Sequence, residues 1–457
     1  MRGPNTRAPH DTPPPVPWRA RLGTRLAKAR SLRRRLSFAV RSLGSAQGRF
    51  RVTMGILSRV QRPIRSVASG YRRTLIRRTR FTVVIGSFGK STTTRAIAAA
   101  FDRRPAVRNS WNSGVAVSIG ILRTRTGTPR AVMEIGIAEP NQMTGYAQLI
   151  RPDIVVATTI GSEHHNSLGT LEQTRAEKAK MVQALPESGY AILNADDPHI
   201  LWMRSVTKAT VITYGLGEAA DVLATNIIAD AMEGTSFVLH LDGASHKVRI
   251  RLVGRHMVYS ILAAIAVARV EGVKVQTILD RLGKLQPMWN RLQPIRHTSG
   301  AWILLDAFKS AEETIERALD TLDELRAKRK LIVLGDVEEP RGSQGPIYRS
   351  IGMRVAQVAD RAVFVGGKTN FNRLKVGTKA GGMPREALTN VRGCPLEVIG
   401  VLKREIGPGD VVLIKGRCTQ HLERIALGLV GQDVGCGTRF CTRRHTCTTC
   451  PYVRRGP

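Results

Sequence analysis

Residues 82–101 read TVVIGSFGKSTTTRAIAAAF and join three kinds of local structure. Four β-branched residues, Thr82 to Ile85, predict a buried strand, and the Thr- and Ala-rich run that follows Lys90 predicts a helix. Between them stands the turn Gly-Ser-Phe-Gly-Lys-Ser. This order suits a phosphate site, because glycines let successive N–H groups point inward and the helix presents its positive end there.

Two side chains of the turn have the chemistry that a bound nucleotide needs. Lys90 is expected to neutralise the outer phosphates, and the Ser91 hydroxyl to ligate Mg²⁺. The full P-loop pattern has a further glycine where this chain has Val84, so only the short form G-x-x-G-K-S is present. The alternative interpretation is a glycine-rich turn without a ligand.

The charge of the chain is concentrated at one end. The 457 residues carry a net charge of +36, and residues 1–80 alone hold 21 Lys and Arg against one acid, which is +20. Leucines recur at helical spacing among the arginines of residues 22–43, which predicts a basic amphipathic helix on an anionic membrane or on nucleic acid. A disordered arm and an organellar transit peptide are the alternatives.

Strand-like and helix-like segments alternate after this leader. We predict an α/β protein, with a P-loop-type central domain built on a mostly parallel sheet and a C-terminal Rossmann-like α/β domain. The segments "ATVITYGLG" and "TSFVLHLDGASHKVRIRLVG" predict a short antiparallel patch. No apolar run reaches the roughly 18 residues of a spanning helix. The predicted domains are residues 1–80, 81–295, 296–432 and 433–457.

Polar residues follow several of the predicted strands. Glu134 ends one strand, Glu163, His164 and His165 follow another, and Lys178 lies one helix later. Because the carboxyl ends of parallel strands share one edge, these residues are expected near the phosphate loop. A carboxylate and an imidazole there could hold Mg²⁺ between ATP and an acceptor carboxylate.

The order of the motifs resembles that of the Mur ligases, ATP-dependent enzymes that form amide bonds in cell-wall precursors. The resemblance covers about residues 81 to 428 and rests on "IGSFGKSTTT", "MEIG", "TTIGSEHHNSLGTLEQTRAEKAKM", "AILNADDP", "GRHMVYSILAAIAVA", "LLDAFKSAEETIERAL", "VLGDVEEPRG" and "GDVVLIKG". It implies that ATP phosphorylates a substrate carboxylate and that an amine then displaces phosphate, with D-alanyl-D-alanine addition to a nucleotide-linked muramoyl tripeptide as the most similar reaction.

The resemblance also implies roles for individual residues. Lys90, Lys178 and His164 would be catalytic, with Lys178 at the position of a carbamylated lysine. Mg²⁺ would be held by Ser91, Glu134, His164 and Lys178. ATP would be bound by Gly86, Ser87, Phe88, Gly89, Lys90, Ser91, Thr92, Asn194, Arg291 and Asp306, with Asp196 beside Asn194 in the same motif.

The chain departs from the family on the adenine side and on the substrate side. Met257 and Ser260 replace the asparagines of the family's H-N-x-x-N, although His256 remains. The family's D-x-Y-N-A-N-P becomes "DAFKSAE" from Asp306 onward, and Arg417 stands where Ser is usual. Residues 1–80 lack the alternation of the UDP-sugar domain, as in polymer-forming relatives such as the poly-γ-glutamate ligases.

Two alternatives to this function remain open. One is a polymer-type amide ligase without a UDP-linked substrate, and the other is a non-catalytic membrane- or nucleic-acid-binding protein on the ligase scaffold. Intact Lys90, Glu134, His164 and Lys178 favour catalysis. We therefore expect small-molecule carboxylate and amine substrates, no nucleic acid, and a cytoplasmic location with the leader available to an anionic membrane.

The C-terminus is rich in cysteine. Cys436, Cys441, Cys447 and Cys450 follow the spacing C-x4-C-x5-C-x2-C, with His445 as a substitute ligand. In a chain without a secretion signal such a cluster suggests metal more than disulfides, and four thiolates suit Zn²⁺. An iron–sulfur cluster and free thiols are the alternatives.

Overall fold

The computed structural model describes residues 50–103, 113–162, 165–340, 342–392, 394–443 and 446–455, without the side chains of 50–61 and 165–166. Its contacts divide the chain into two compact units, residues 1–67 and 68–457. A helix begins at Phe50 and ends at Thr74. The amphipathic segment that the leucine spacing predicts at residues 22–43 lies outside the described residues. None of the described helices is long and apolar enough to cross a membrane.

The first sheet has eight strands in the order β2-β1-β3-β4-β5-β6-β7-β8. The strands from β2 to β6 pair in parallel, and β6, β7 and β8 are antiparallel. Their bounds are β1 Arg80–Ile85, β2 Arg130–Glu134, β3 Ile154–Ala157, β4 Tyr190–Asn194, β5 Thr210–Gly215, β6 Val222–Asp230, β7 Gly234–Leu241 and β8 Ala244–Ile250.

Helices cover both faces of this sheet. They span Lys90–Ala100, Gly114–Arg123, Gln142–Ile150, His165–Leu168, Leu171–Gln183, Pro198–Leu201, Arg255–Val270 and Val275–Gly283. The buried strand β1 shows why two layers are needed. Phe81, Val83 and Ile85 enter one hydrophobic core and Val84 enters the other, since successive side chains of a strand point to opposite faces.

The second sheet has six strands in the order β13-β12-β11-β14-β10-β9. The first five pair in parallel, and β9 is antiparallel to β10. The strands are β9 Gln293–Arg296, β10 Trp302–Asp306, β11 Lys330–Leu334, β12 Arg361–Val365, β13 Leu388–Val391 and β14 Val411–Lys415, and the helices are Glu312–Glu324, Gln344–Val358, Lys368–Ala380, Leu396–Glu405 and Glu423–Leu429.

The two-sheet α/β fold predicted from the alternation is confirmed, with two differences in detail. The strand β5, predicted in the antiparallel patch, pairs in parallel with both β4 and β6. The structure also has the strands β6, β9 and β13, which the sequence pattern does not predict. The strands β9 and β13 have four residues each and are mostly half-buried, so they lack the apolar run that marks a central strand.

The end of the basic leader is part of the second unit. Arg72, 6% exposed, donates hydrogen bonds from Nε to the Ile150 carbonyl at 2.7 Å and from a terminal nitrogen to the Arg151 carbonyl at 3.0 Å. Its guanidinium also lies 4.5 Å from the centre of the Phe81 ring. Residues 68–80 therefore hold the first strand in place rather than belonging to a free arm.

A half-buried histidine lies where the two domains meet. His256, in the helix Arg255–Val270, has its Nδ1 3.4 Å from the Thr321 hydroxyl of the helix Glu312–Glu324. Burial, followed by the positive charge of Arg317, lowers the pKa of His256 to about 4. The imidazole is therefore neutral in the folded protein at pH 7.

This histidine predicts a pH dependence of stability. The unfolded chain protonates His256 below about pH 6.5, and the folded chain only near pH 4. The stability that it contributes is complete above pH 6.5 and is lost as the pH falls toward 4. Between pH 6.5 and 5 we expect a loss of about 2 kcal/mol from this group.

Urea unfolding at a series of pH values measures this loss. His256→Asn should flatten the dependence of the free energy of unfolding on pH in this window, whatever its effect at pH 7. An unchanged slope in the variant would show that His256 titrates normally.

Candidate active site

The loop between β1 and the helix Lys90–Ala100 has a backbone that requires glycine. Gly86 has φ +136° and Gly89 has φ +80°. A Cβ atom at Gly86 would lie 2.0 Å from the Thr158 hydroxyl oxygen at the end of β3. The loop therefore lies against the neighbouring strand end, and the helix after it starts with its amide groups directed into the loop.

Residues 158–161 form hydrogen bonds to this loop. The Ser87 amide donates to the Thr159 carbonyl at 2.7 Å, and the Thr158 hydroxyl donates to the Phe88 carbonyl at 2.6 Å. The Gly161 amide donates to Ser87 Oγ at 2.9 Å. The predicted phosphate loop is thus fixed in one conformation by the segment "TTIG".

Lys90 lies inside the loop that precedes it. Its side chain is buried, and Nζ donates to the Gly86 carbonyl at 2.8 Å and to the Ser87 carbonyl at 2.7 Å. A cation held in the curve of a loop rich in backbone amides is arranged to receive an anion. Ser91 and Thr92, the next two residues, lie half-buried in the first turn of the helix.

Glu134 lies at the end of β2, beside the loop. Its Cα pairs in register with Val84 of β1, two residues before Gly86. Among the described residues its Oε2 is buried and has no hydrogen-bond partner. A buried carboxylate oxygen without a partner is unfavourable, so a cation fits this position. Glu134 and the Ser91 hydroxyl are oxygen donors of the kind that Mg²⁺ prefers.

Lys178 contacts the loop directly. It lies in the helix Leu171–Gln183, which begins with a capping box between Thr170 and Gln173. Its side chain is only 3% exposed, and Nζ donates to Ser87 Oγ at 2.8 Å. The structure therefore brings Lys178, Glu134 and the loop together, as predicted. His164, the fourth predicted residue of this group, lies outside the described residues.

Asn194 supports the loop from behind β3. Its Nδ2 donates to the Thr158 carbonyl at 2.9 Å, and its Oδ1 accepts from the Asp196 amide at 3.1 Å. Asp196 in turn accepts from the Tyr259 hydroxyl at 2.8 Å. The Asn194 side chain therefore bonds to backbone groups of the protein, whereas the resemblance predicts that it contacts the nucleotide.

The residues that replace the family's adenine-side asparagines have a packing role. Met257 and Ser260 are both buried, and Ser260 Oγ lies 3.0 Å from the Thr93 hydroxyl. These side chains join the helix Arg255–Val270 to the helix of the phosphate loop. His256 faces Thr321 instead.

The C-terminal domain contributes a buried ion pair at the ends of β10 and β14. Lys415 Nζ donates to Asp306 Oδ2 at 2.6 Å and to the Lys309 carbonyl at 2.7 Å. Burial lowers the pKa of Lys415, and Asp306 opposes this shift. Arg291 stacks on Phe308 with its guanidinium carbon 4.3 Å from the ring centre. The pair therefore anchors the segment from Asp306 to Lys309, in which the chain departs from the family.

A glutamate that the motifs do not single out joins the two domains. Glu313, in the first turn of the helix Glu312–Glu324, accepts hydrogen bonds at 2.8 Å from both the amide and the hydroxyl of Ser162. Ser162 follows the segment that braces the phosphate loop. The only signal in the sequence is the acidic pair at the start of this helix, which is common to many helices.

The cysteine tail does not form the predicted four-cysteine site. Among the described residues, the one group of three or more His, Cys, Asp or Glu side chains with ligand atoms within 4.8 Å of one another is His421, Glu423 and Cys447. Cys436 instead accepts a hydrogen bond from Arg424 at 3.3 Å. His445 lies outside the described residues. Cys447 is the one tail cysteine in this group, and it lies there with two residues that the spacing does not indicate.

The tail also reaches the strand ends of the second sheet. Arg417 and Arg439 both stack on the Phe440 ring, with guanidinium carbons 4.9 and 5.0 Å from its centre. Arg439 also lies 4.0 Å from Asp336, which follows β11. Residues 439–440 therefore line the same strand ends as Lys415.

Comparisons with known proteins agree with this geometry. Residues 84–268 match the Mur ligase middle domain, and residues 290–418 match the domain described as Mur ligase, glutamate ligase domain. A curated relative from Mycobacterium tuberculosis, a UDP-N-acetylmuramoyl-tripeptide–D-alanyl-D-alanine ligase, is 27% identical over 377 residues, which are 78% of this chain and 73% of the relative. The Bacillus subtilis enzyme of the same name is 25% identical over 356 residues, 77% and 76% of the two chains.

Solved structures match the fold. The crystal structure of MurF from Acinetobacter baumannii has a TM-score of 0.71 at 22% identity and covers 81% of both chains. MurF ligase from Thermotoga maritima, solved in complex with ADP, has a TM-score of 0.70 at 19% identity and covers 81% of this chain and 83% of its own. Because the two matched domains together span more than two thirds of the 457 residues, in the family's order, this chain belongs to the Mur ligase family.

Proposed function

We propose that this Mur ligase is an ADP-forming enzyme that joins a substrate carboxylate to an amine through an acyl phosphate. The observation that carries the proposal is the convergence of the phosphate loop after β1, Glu134 at the end of β2 and Lys178 of the helix Leu171–Gln183. A loop that only turned between strand and helix would need no buried lysine inside it. Nor would it need beside it a buried carboxylate oxygen that has no partner among the described residues.

In the first step the γ-phosphoryl group of ATP passes to a carboxylate oxygen, which gives the acyl phosphate and ADP. Little covalent chemistry is required of the protein, so catalysis rests on positioning and on stabilising negative charge. Lys90 and the amides of residues 86–90 supply this stabilisation. The Lys90 ammonium exchanges its two loop carbonyls for phosphate oxygens when ATP binds.

Ser91 and Glu134 are the residues that would hold Mg²⁺, and His164 and Lys178 would hold a second ion. When bound, Mg²⁺ neutralises charge on the phosphate oxygens and orients them. Lys178 meets this role once its amine has reacted with carbon dioxide, because a carbamate is an anionic oxygen ligand whereas an ammonium repels a cation.

In the second step an amine attacks the acyl carbon, the bond to the phosphate oxygen breaks, and the amine loses a proton as the amide forms. Water must be kept from the acyl phosphate during this step. The C-terminal domain serves this purpose through Glu313, which bonds to Ser162 beside the loop, and through the anchored segment Asp306–Lys309.

The curated relatives are named as UDP-N-acetylmuramoyl-tripeptide–D-alanyl-D-alanine ligases. We propose the same class of amine, a short peptide with a free carboxylate, for this chain. The cationic groups on the substrate side support an anionic substrate, because Arg417 and Arg439 flank Phe440 and Lys309 follows Phe308. We further propose that the enzyme acts in the cytoplasm, where ATP is available, and that its leader attaches it to anionic membrane.

An assay of ADP release tests the reaction and its substrates. We expect ADP only when ATP, a carboxylate and an amine are all present, with UDP-muramoyl tripeptide and D-alanyl-D-alanine as the first pair. Activity with glutamate chains but not with the UDP-linked peptide would favour the polymer-type alternative. The absence of ADP release with every pair would contradict the proposal.

Lys90→Ala should lower ADP formation by on the order of 10²–10³-fold, because it removes a cation directed at the transferring group. The matched control is Lys208→Ala, whose side chain is 85% exposed, and it should retain wild-type turnover. Circular dichroism checks that both variants fold. Wild-type turnover in folded Lys90→Ala would exclude the assigned phosphate site.

Lys178 should make the activity depend on carbon dioxide. We expect turnover to fall when the buffer is stripped of carbon dioxide and to return with bicarbonate, and Lys178→Ala to be inactive but partly rescued by short carboxylic acids. Lys180→Ala, two residues along the same helix and more exposed, is the control and should behave as wild type. Full activity of Lys178→Ala would make this lysine structural.

The leader should bind anionic vesicles. Residues 1–49 hold 12 Lys and Arg and one acid, and each basic residue near an anionic surface contributes about 1 kcal/mol. A chain that begins at residue 50 should lose cosedimentation with anionic vesicles and keep its soluble turnover, while neither form binds zwitterionic vesicles. Equal binding of the two forms to anionic vesicles would exclude membrane attachment through residues 1–49.

A further inference from the structure

Three metal-ligating side chains meet in the C-terminal domain, outside the catalytic loop. His421 follows a short turn after β14, Glu423 begins the helix Glu423–Leu429, and Cys447 begins a turn of 3-10 helix in the tail. One ligand atom of each lies within 4.8 Å of the others. All three residues are buried, with exposed fractions of 8%, 1% and 7%.

One carboxylate oxygen of this cluster lacks a hydrogen-bond partner among the described residues. His421 Nδ1 lies 2.9 Å from Glu423 Oε1, which also accepts the Cys447 amide at 3.3 Å. The other carboxylate oxygen, Oε2, is buried and has no hydrogen-bond partner among the described residues. Such an oxygen is unfavourable in a protein interior, and a cation between the carboxylate, the imidazole and the thiolate would satisfy it.

The surrounding structure holds the cluster in place. Arg424, 1% exposed, donates to the carbonyls of Gln420 and His421 on one side and to those of Cys436 and Thr438 on the other. The tail is therefore fastened beside the ligands. His421 itself has φ +48°, a left-handed conformation that is uncommon for a residue other than glycine. Such conformations occur where the surroundings fix a side chain for function.

We propose that His421, Glu423 and Cys447 bind one Zn²⁺ ion that fastens the C-terminal tail to the second sheet. Nitrogen, oxygen and sulfur donors together favour Zn²⁺, because Mg²⁺ and Ca²⁺ take oxygen ligands alone. Cys450 follows three residues after Cys447 in the C-x-x-C spacing and is the candidate for a fourth ligand. The site is structural and is separate from the Mg²⁺ ligands of the proposed reaction.

Zinc content of the full-length protein tests the proposal. Protein purified with a phosphine reductant and without chelator is dialysed against metal-free buffer, and we expect about one zinc per chain by elemental analysis. Cys447→Ser and Glu423→Gln should weaken zinc binding by at least about 100-fold, more than the loss of an outer-shell partner causes. Glu423→Gln keeps the shape of the side chain, and the thermal unfolding midpoint measured without zinc identifies any variant that has not folded.

Cys441→Ser is the matched control, because Cys441 is a tail cysteine outside the cluster. It should keep the wild-type zinc content. Loss of zinc in Cys441→Ser with zinc retained in Glu423→Gln would overturn this ligand set in favour of a four-cysteine site. Wild-type protein that holds no zinc after incubation with the ion would overturn the proposal outright.

Cobalt replacement gives a second readout that does not depend on affinity. The cobalt-loaded wild-type protein should show a thiolate-to-cobalt charge-transfer band in the near ultraviolet, and Cys447→Ser should lack it while Cys441→Ser keeps it. The same band in all three proteins would exclude Cys447 as a ligand.

Discussion

The close approach of the phosphate loop to the end of β3 is the constraint on which the catalytic side depends. Gly86 leaves no room for a Cβ atom beside Thr158, and the backbone of residues 158–161 fixes the loop on that side. Because Lys178 also bonds to Ser87, the loop, the helix of Lys178 and the end of β3 form one rigid group. Asn194 and Glu313 support the same group from β4 and from the C-terminal domain.

The sequence predicts the buried parallel strands of this fold better than the short strands β9 and β13. Buried parallel strands such as β1 are continuous β-branched runs, and their alternation with helices indicates two open sheets. The edge strands β9 and β13 are short and polar, so their pairing is fixed only by the neighbouring strand. The direction of β5 is likewise set by β4 and β6, since a strand's own residues do not state whether its partner runs parallel.

The residues of the candidate site also differ in how far the sequence predicts them. Lys90, Glu134 and Lys178 stand in motifs whose order can be read along the chain, and the structure brings them together. Glu313 lies within the family motif LLDAFKSAEETIERAL but the motif does not single it out, and its partner Ser162 is 151 residues away in the sequence. Arg424 stands outside the family motifs and acts by bonding to the tail at Cys436. The tail shows the limit of spacing arguments, because Cys447 meets His421 and Glu423 from the preceding domain rather than its neighbouring cysteines.

The proposed mechanism depends on an acyl phosphate intermediate. Transfer of an oxygen isotope from the substrate to phosphate tests for this intermediate directly. If both oxygens of the substrate carboxylate carry ¹⁸O, the oxygen that bridges carbon and phosphorus in the intermediate leaves with phosphorus when the amine attacks. We therefore predict that one ¹⁸O atom appears in each inorganic phosphate released, together with ADP and the amide product. Phosphate free of ¹⁸O, or the release of AMP and pyrophosphate, would contradict the mechanism.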